Sequence, residues 1–433
     1  MIIYSSILTH RLRYTADFIS MQLTGEPALI SQNQQEYIAS DRLRLNYSDQ
    51  RITPDELWIR PQGLLFENCI RQQDMVCTDW QGQLIFFPTA GDWPFDLFSA
   101  VFFLLSRYEE YLPHEKDSYG RYAYENSLAS REGFLNRPLV NEWLQALKAM
   151  LRNKFPGHSF QEHTFRFQPT YDIDEAYAFK YKEWWRSAGG AVKDLLRGRF
   201  ARFNQRRRVL NGLETDPYDA FTWMDDLHRP LKLKPRYFFL MAGRNKGYDK
   251  HILPSQPALQ TLVRQLATHY DIGLHPSWQS GDETALLQKE KETLEQISSL
   301  KITASRQHYI RFSLPLTFRL LLEAGIRDDY SMGYGSINGF RASVASPFYW
   351  YDLEKEQTTP LLLHPFCWME ANAHFEQKLS PPEALDELYQ YYQRIKKVNG
   401  TMISIWHNTF LGTDSLYEGW REVYAQFVKE SAG

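Results

Sequence analysis

From residue 164 onward the chain alternates short β-prone apolar runs with stretches of helical period, and this regularity limits the available folds more than any other feature. Strand-like runs fall at 164–171, 236–241, 270–275, 302–308, 328–332, 361–364 and 401–407. Helical stretches at 221–227, 257–269, 283–297, 316–324, 382–397 and 416–429 punctuate them. Repeated strand-then-helix units imply parallel strands. Seven of them predict an α/β fold, a distorted seven-stranded parallel β/α barrel that gathers every strand C-terminus at one mouth.

The polar residues sit at those strand ends. Thr170-Tyr171-Asp172-Ile173-Asp174 closes the first run with two carboxylates one residue apart. Residues two apart on a strand face the same way, so Asp172 and Asp174 can enter one pocket. Like charges at that spacing require a cation or basic partner to remain ionised together. Complementary groups end three later runs: His275 in Asp271-Ile272-Gly273-Leu274-His275, Arg306 and His308 in Ser305-Arg306-Gln307-His308, and His407 after Ile405-Trp406. The same Asp spacing also suits a solvated turn, or an N-cap in which Asp174 opens a helix over 175–182. His228, His251, His269 and His364 are read as structural histidines.

A chain of 433 residues exceeds one ordinary core and divides into two domains. Pro156-Gly157-His158-Ser159 marks the boundary. Residues 1–163 are expected to form a smaller mixed α/β accessory domain with no catalytic constellation, and 164–433 the barrel. In the first part, strands are predicted at 1–4, 43–47, 56–59 and 83–87, and helices at 14–23, 95–111 and 140–155. The net charge of −3 excludes a general nucleic-acid binder. Three cysteines, Cys69, Cys77 and Cys367, have neither disulfide-framework nor zinc-cluster spacing. With no secretory signal and no apolar run near the ~20 residues that span a bilayer, the expected location is cytoplasmic. The aromatic fraction of 15% is compatible with sugar recognition. An insertion at about 180–215 stands out: between Lys180 and Arg208 it holds ten Lys or Arg against two acids, with Trp184-Trp185. It is either a solvated helix face or lid, or a surface for an anionic lipid-linked substrate or membrane.

In order and content these motifs resemble the polysaccharide deacetylase family, carbohydrate esterase family 4, over about residues 164–433. The whole chain, including 98–111 and Asp117-Ser118-Tyr119-Gly120-Arg121, is also similar to a group of Bacteroidota polysaccharide-deacetylase-like proteins with an N-terminal domain of unknown role. The resemblance implies a carbohydrate substrate and a divalent metal, zinc foremost. It makes Asp172 the general base, Asp174 and His275 metal ligands, Arg306 the group that aims the base, and His407 the general acid. The family's second metal histidine has no counterpart after His275. His308 is the candidate for the third ligand because it shares Arg306's face, with Ser280 or water as substitutes. Tyr309, Phe340 and Arg341 are candidate sugar-binding residues.

The chemistry implied is hydrolysis of an acetamido group on a glycan or activated sugar, with water activated by the metal, an Asp base and a His acid. Two other readings stay open. One is an inactive barrel acting as a glycan-binding or interaction module. The other is a glycoside hydrolase that pairs Asp172 with Asp225 or Glu370.

Overall fold

Ile2, Ile3 and Tyr4 are buried and form β1 (Ile2–Tyr4) in a four-stranded parallel sheet. The computed structural model describes residues 1–431. Beside β1 lie β2 (Leu29–Ser31) and β3 (Arg44–Asn46), and β4 (Leu57–Trp58) completes the order β2-β1-β3-β4. Helix His10–Thr24 packs on helix Leu97–Leu105; the Thr9 side chain accepts from Leu12 N–H at its start, and Gly25, at φ +76°, closes it. A hairpin follows, β5 (Thr78–Trp80) and β6 (Gln83–Ile85).

Helix Leu97–Leu105 is buried on every side. It is shorter than the expected 95–111 because Arg107 turns to φ +54° and donates to Glu110 at 2.7 Å. Glu110 then receives Arg341 from the second half of the chain at 2.6 and 2.8 Å. Burial acts to raise the Glu110 pKa, yet Arg341 and Arg107 hold it down at about 2.

The larger sheet contains all seven expected strands: β7 (Arg166–Ile173), β8 (Arg236–Leu240), β9 (Asp271–His275), β10 (Ala304–Ser305), β11 (Asp328–Asp329), β13 (Gln357–Leu363) and β15 (Thr401–His407). Two more join it, β12 (Phe348–Asp352) and β14 (Trp368–Met369), to give nine in the order β12-β13-β11-β10-β9-β8-β7-β15-β14. Every pairing is parallel except β12 with β13. The expected count of seven is thus too low by an antiparallel edge strand, joined to β13 without a helix, and a strand only two residues long. Among the described residues no ladder joins β13 to β14. The intervening backbone is engaged elsewhere: Phe366 N–H donates to Met332 and Cys367 C=O accepts from Gly339 N–H.

The two halves share one continuous apolar core. Their seam also carries polar bonds: Asn141 to Ser346 and Ala345, Val140 N–H to Ser343 C=O, and Tyr14 to Tyr349 C=O. The basic insertion forms a helical hairpin, Trp184–Leu196 and Phe200–Leu210. No described helix is long and apolar enough to cross a membrane.

Candidate metal centre and active site

Strand register assembles the site. β7 pairs with β15 so that Asp172 lies opposite His407, and with β8 so that Ile173 lies opposite Phe239. β8 in turn sets Leu240 opposite His275, and β9 sets Leu274 opposite Ser305. The C-terminal ends of β7, β9, β10 and β15 therefore meet at one mouth. Asp174 follows β7 and opens no helix, since the next one begins only at Trp184. Its side chain instead faces the histidines.

Asp174, His275 and His308 each offer a ligand atom, all within 4.8 Å of one another. His275 Nε2 is 3.2 Å from Asp174 Oδ1, and His308 Nε2 is 3.6 Å from Asp174 Oδ2. Both imidazoles are steered from behind. His275 Nδ1 donates to Arg306 C=O at 2.6 Å, and His308 Nδ1 meets the buried Asp249 carboxylate at 3.0 Å. Each Nε2 is thereby turned toward Asp174, an orientation typical of metal-ligating histidines. Desolvation pushes the Asp174 pKa up, but His308 and His275 bring it well below the usual carboxylate range. Against its own burial, His308 is raised to about 9 by Asp174 and Asp249. Asp174 Oδ1 is buried and has no hydrogen-bond partner. One carboxylate and two imidazoles around such an oxygen fit a divalent cation.

His308 reaches this place by a route the sequence conceals. β10 ends at Ser305, short of the expected 302–308 strand, and the chain enters a tight turn with Tyr309 at φ +58° and Ile310 at φ +55°. The turn, and not strand alternation, returns the His308 ring to Asp174. Ser280 is no substitute, because its hydroxyl is buried and bonded to Ser277 C=O and Glu290.

Asp172, 2% exposed, accepts from Arg306 Nη1 at 2.8 Å through Oδ1, and its Oδ2 is 3.9 Å from His275 Nε2. Arg306 is fully buried, with Nε on Tyr330 C=O at 3.0 Å and its guanidinium 4.4 Å over the Phe238 ring. Across the mouth, His407 presents Nε2 at 3.6 Å from Asp174 Oδ2. Glu370 Oε1 accepts both His407 Nδ1 and the His407 backbone N–H at 2.6 Å. Burial lowers the His407 pKa, but Glu370, Asp174 and Asp172 together raise it to about 10.

A cavity of about 370 Å³ opens above these groups. Asp172, Asp174, His275, His308, His407 and Tyr309 line it. Phe340 and Arg341, expected at a sugar cleft, do not. Phe340 packs against Tyr391, and Arg341 is consumed by Glu110 and Gly333 C=O. Asp225 also lies elsewhere, tied to Arg229 and Tyr270, so it makes no carboxylate pair with Asp172. Tyr119 and Arg121, from the half expected to be free of chemistry, do line the cavity. Arg121 Nη1 donates to Tyr309 C=O at 2.8 Å, and the Tyr119 ring stacks on Tyr309 at 5.4 Å. The one available signal was the Asp117-to-Arg121 turn motif; Asp249 left none, and Glu370, expected only as a carboxylate paired with Asp172, instead holds His407.

Residues 1–156 match a family of unknown function, DUF7033. No curated protein matches the chain. Solved structures similar to it include a Mycobacterium smegmatis protein named as a polysaccharide deacetylase, 12% identical over 64% of this chain and 87% of that one, with a TM-score of 0.42. A mutant pseudoenzyme of carbohydrate esterase family 4 with restored activity is 11% identical over 62% and 63%, with a TM-score of 0.30. The Bacillus cereus polysaccharide deacetylase Bc1974 is 10% identical over 62% and 88%, with a TM-score of 0.28. Likeness of this degree decides nothing about the chemistry, which is read from the residues themselves.

Proposed function

We propose that the protein is a metal-dependent carbohydrate deacetylase that hydrolyses the acetamido group of an N-acetylated glycan or activated sugar. The observation that carries this reading is the trio Asp174, His275 and His308, with both imidazoles anchored through Nδ1 and a partnerless carboxylate oxygen between them. A divalent cation held there would supply Lewis-acid activation of water and of the acyl carbonyl.

The remaining steps belong to side chains. Arg306 engages Asp172 Oδ1, which leaves Oδ2 to accept the proton of the attacking water. Glu370 holds His407 through Nδ1, so the protonated ring offers Nε2–H to the leaving nitrogen. As the amide C–N bond breaks, the nitrogen takes that proton and departs as the amine with acetate as co-product. Tyr309 and Tyr119 form the aromatic wall against which a sugar ring would lie. In this reading residues 164–433 are the catalytic domain and residues 1–163 an accessory domain that completes the wall.

The test is acetate release from N-acetylhexosamine oligosaccharides, with metal content measured in parallel. Asp172→Asn retains the metal and loses ~10²–10⁴ in rate, since an amide cannot take the water's proton. His407→Ala loses a similar factor. Stoichiometric metal without acetate from any N-acetylated sugar, together with retained glycan binding, would favour the binding module.

A further inference from the structure

The hairpin at 184–210 presents to solvent what a folded protein ordinarily hides. Trp184, Ala188, Val192 and Leu196 recur every fourth residue along the first helix and are all exposed, Trp184 at 81% and Leu196 at 83%. Residues four apart share one helix face, so these side chains form a continuous apolar stripe. The hairpin is nonetheless a built element. Gly190 leaves room for the Arg206 guanidinium, which pairs with Asp194 at 2.9 Å and lies 4.5 Å over Phe179.

Behind the stripe is a second cavity of about 360 Å³. Some of the cations lining it are already engaged: Lys182 with Glu175, Arg202 with Asp414, and Arg186 with His251 C=O. Lys193, Arg197 and Arg199 have no carboxylate partner among the described residues, in a chain whose net charge is −3. The cavity shares Glu175 and Tyr218 with the catalytic cavity. An anion seated in one would therefore adjoin a sugar seated in the other.

We propose that this hairpin docks on an anionic bilayer, apolar stripe inward and free cations at the headgroups, and that the substrate is a lipid-linked sugar phosphate whose phosphate enters the basic cavity. Trp residues flanked by Lys and Arg are the combination that settles at a membrane interface. Attraction to anionic headgroups adds to burial of the stripe. The docking stands by itself; the substrate class rests on the deacetylase reading.

The experiment is co-sedimentation of the full chain with vesicles of phosphatidylcholine alone and of equal parts phosphatidylcholine and phosphatidylglycerol. The chain is expected to bind the mixed vesicles only, and less at high salt. Trp184→Ser with Leu196→Ser should weaken binding by at least about tenfold, and Lys193→Glu, Arg197→Glu and Arg199→Glu about fivefold each. Metal content should stay at the wild-type level in all of them, and acetate release from a soluble oligosaccharide should stay there in the Trp184, Leu196 variant, which separates docking from misfolding. No binding to the mixed vesicles, or equal binding by the variants, overturns the proposal even if acetate is released. Vesicle binding without acetate from any N-acetylated sugar removes the deacetylase reading and the substrate class, and leaves the docking. With both present, faster acetate release from a polyprenyl-phosphate N-acetylhexosamine in vesicles than from the same sugar phosphate without lipid supports the substrate class; equal rates overturn it.

Discussion

Asp249 is fully buried and makes no ion pair with Lys or Arg among the described residues. Its oxygens accept His308 Nδ1, the Trp278 N–H and Gln279 Nε2. Burial alone would raise its pKa; the bonds to His308, Gln279 and Trp278 bring it below the ordinary value. The carboxylate is thus a fixed anionic stop that sets the His308 tautomer and ring angle. Asp249→Ala is expected to leave the three proposed ligands in place and weaken metal affinity ~10- to 100-fold, as loss of such supporting groups does. Titration against a chelator of known affinity measures it, and an unchanged constant would mean that His308 is oriented by something else. Asp249 was not legible as a site residue, and Glu370 was legible only as a possible carboxylate partner of Asp172, not as the support of His407. Each acts by supporting an imidazole from the side away from the cavity, and no spacing in the chain encodes that contact.

Among the elements, β9 carries the tightest constraint. A Cβ at Gly273 would meet the Phe238 ring at 2.4 Å and Ala304 C=O at 3.2 Å, and Phe238 is the ring under Arg306. Gly273→Ala should cost ~1–3 kcal/mol by overpacking. It should also shift Arg306, so that activity falls by more than thermal stability predicts; melting and rate measurements on one preparation separate the two. The strands of this sheet were legible because buried parallel strands are apolar runs flanked by helical periods, and because the polar residues of the site end them. The length of β10 was not. Ile302 to His308 has the composition of a strand, but the turn at Tyr309 and Ile310 depends on contacts with Trp278 and Arg121, far away in sequence. The placement of Arg341 failed for a related reason: its partner Glu110 comes from the other half of the chain.

For the molecule as a whole, stability and function draw on the same interior. His228 is buried at the base of the sheet, with Nε2 shared by the Tyr171 and Tyr424 hydroxyls, and burial lowers its pKa to about 4 from the ordinary 6.5. The unfolded chain therefore binds a proton that the folded one refuses between those values. Stability is full above pH 6.5 and declines as pH falls toward 4, by ~2 kcal/mol at pH 5 from this group. Denaturant unfolding at pH 7 and pH 5 should show that loss in the wild type and less of it in His228→Phe. The Tyr309 turn has a reach of another kind. It places His308, yet its carbonyl is held by Arg121 and its ring by Tyr119, both from residues 1–156. Arg121→Ala in the full chain should weaken metal binding though it touches no ligand, read by the same chelator titration. A recombinant that exchanged the first half for a foreign one would keep Asp174, His275 and His308 and still lose the grip that seats His308.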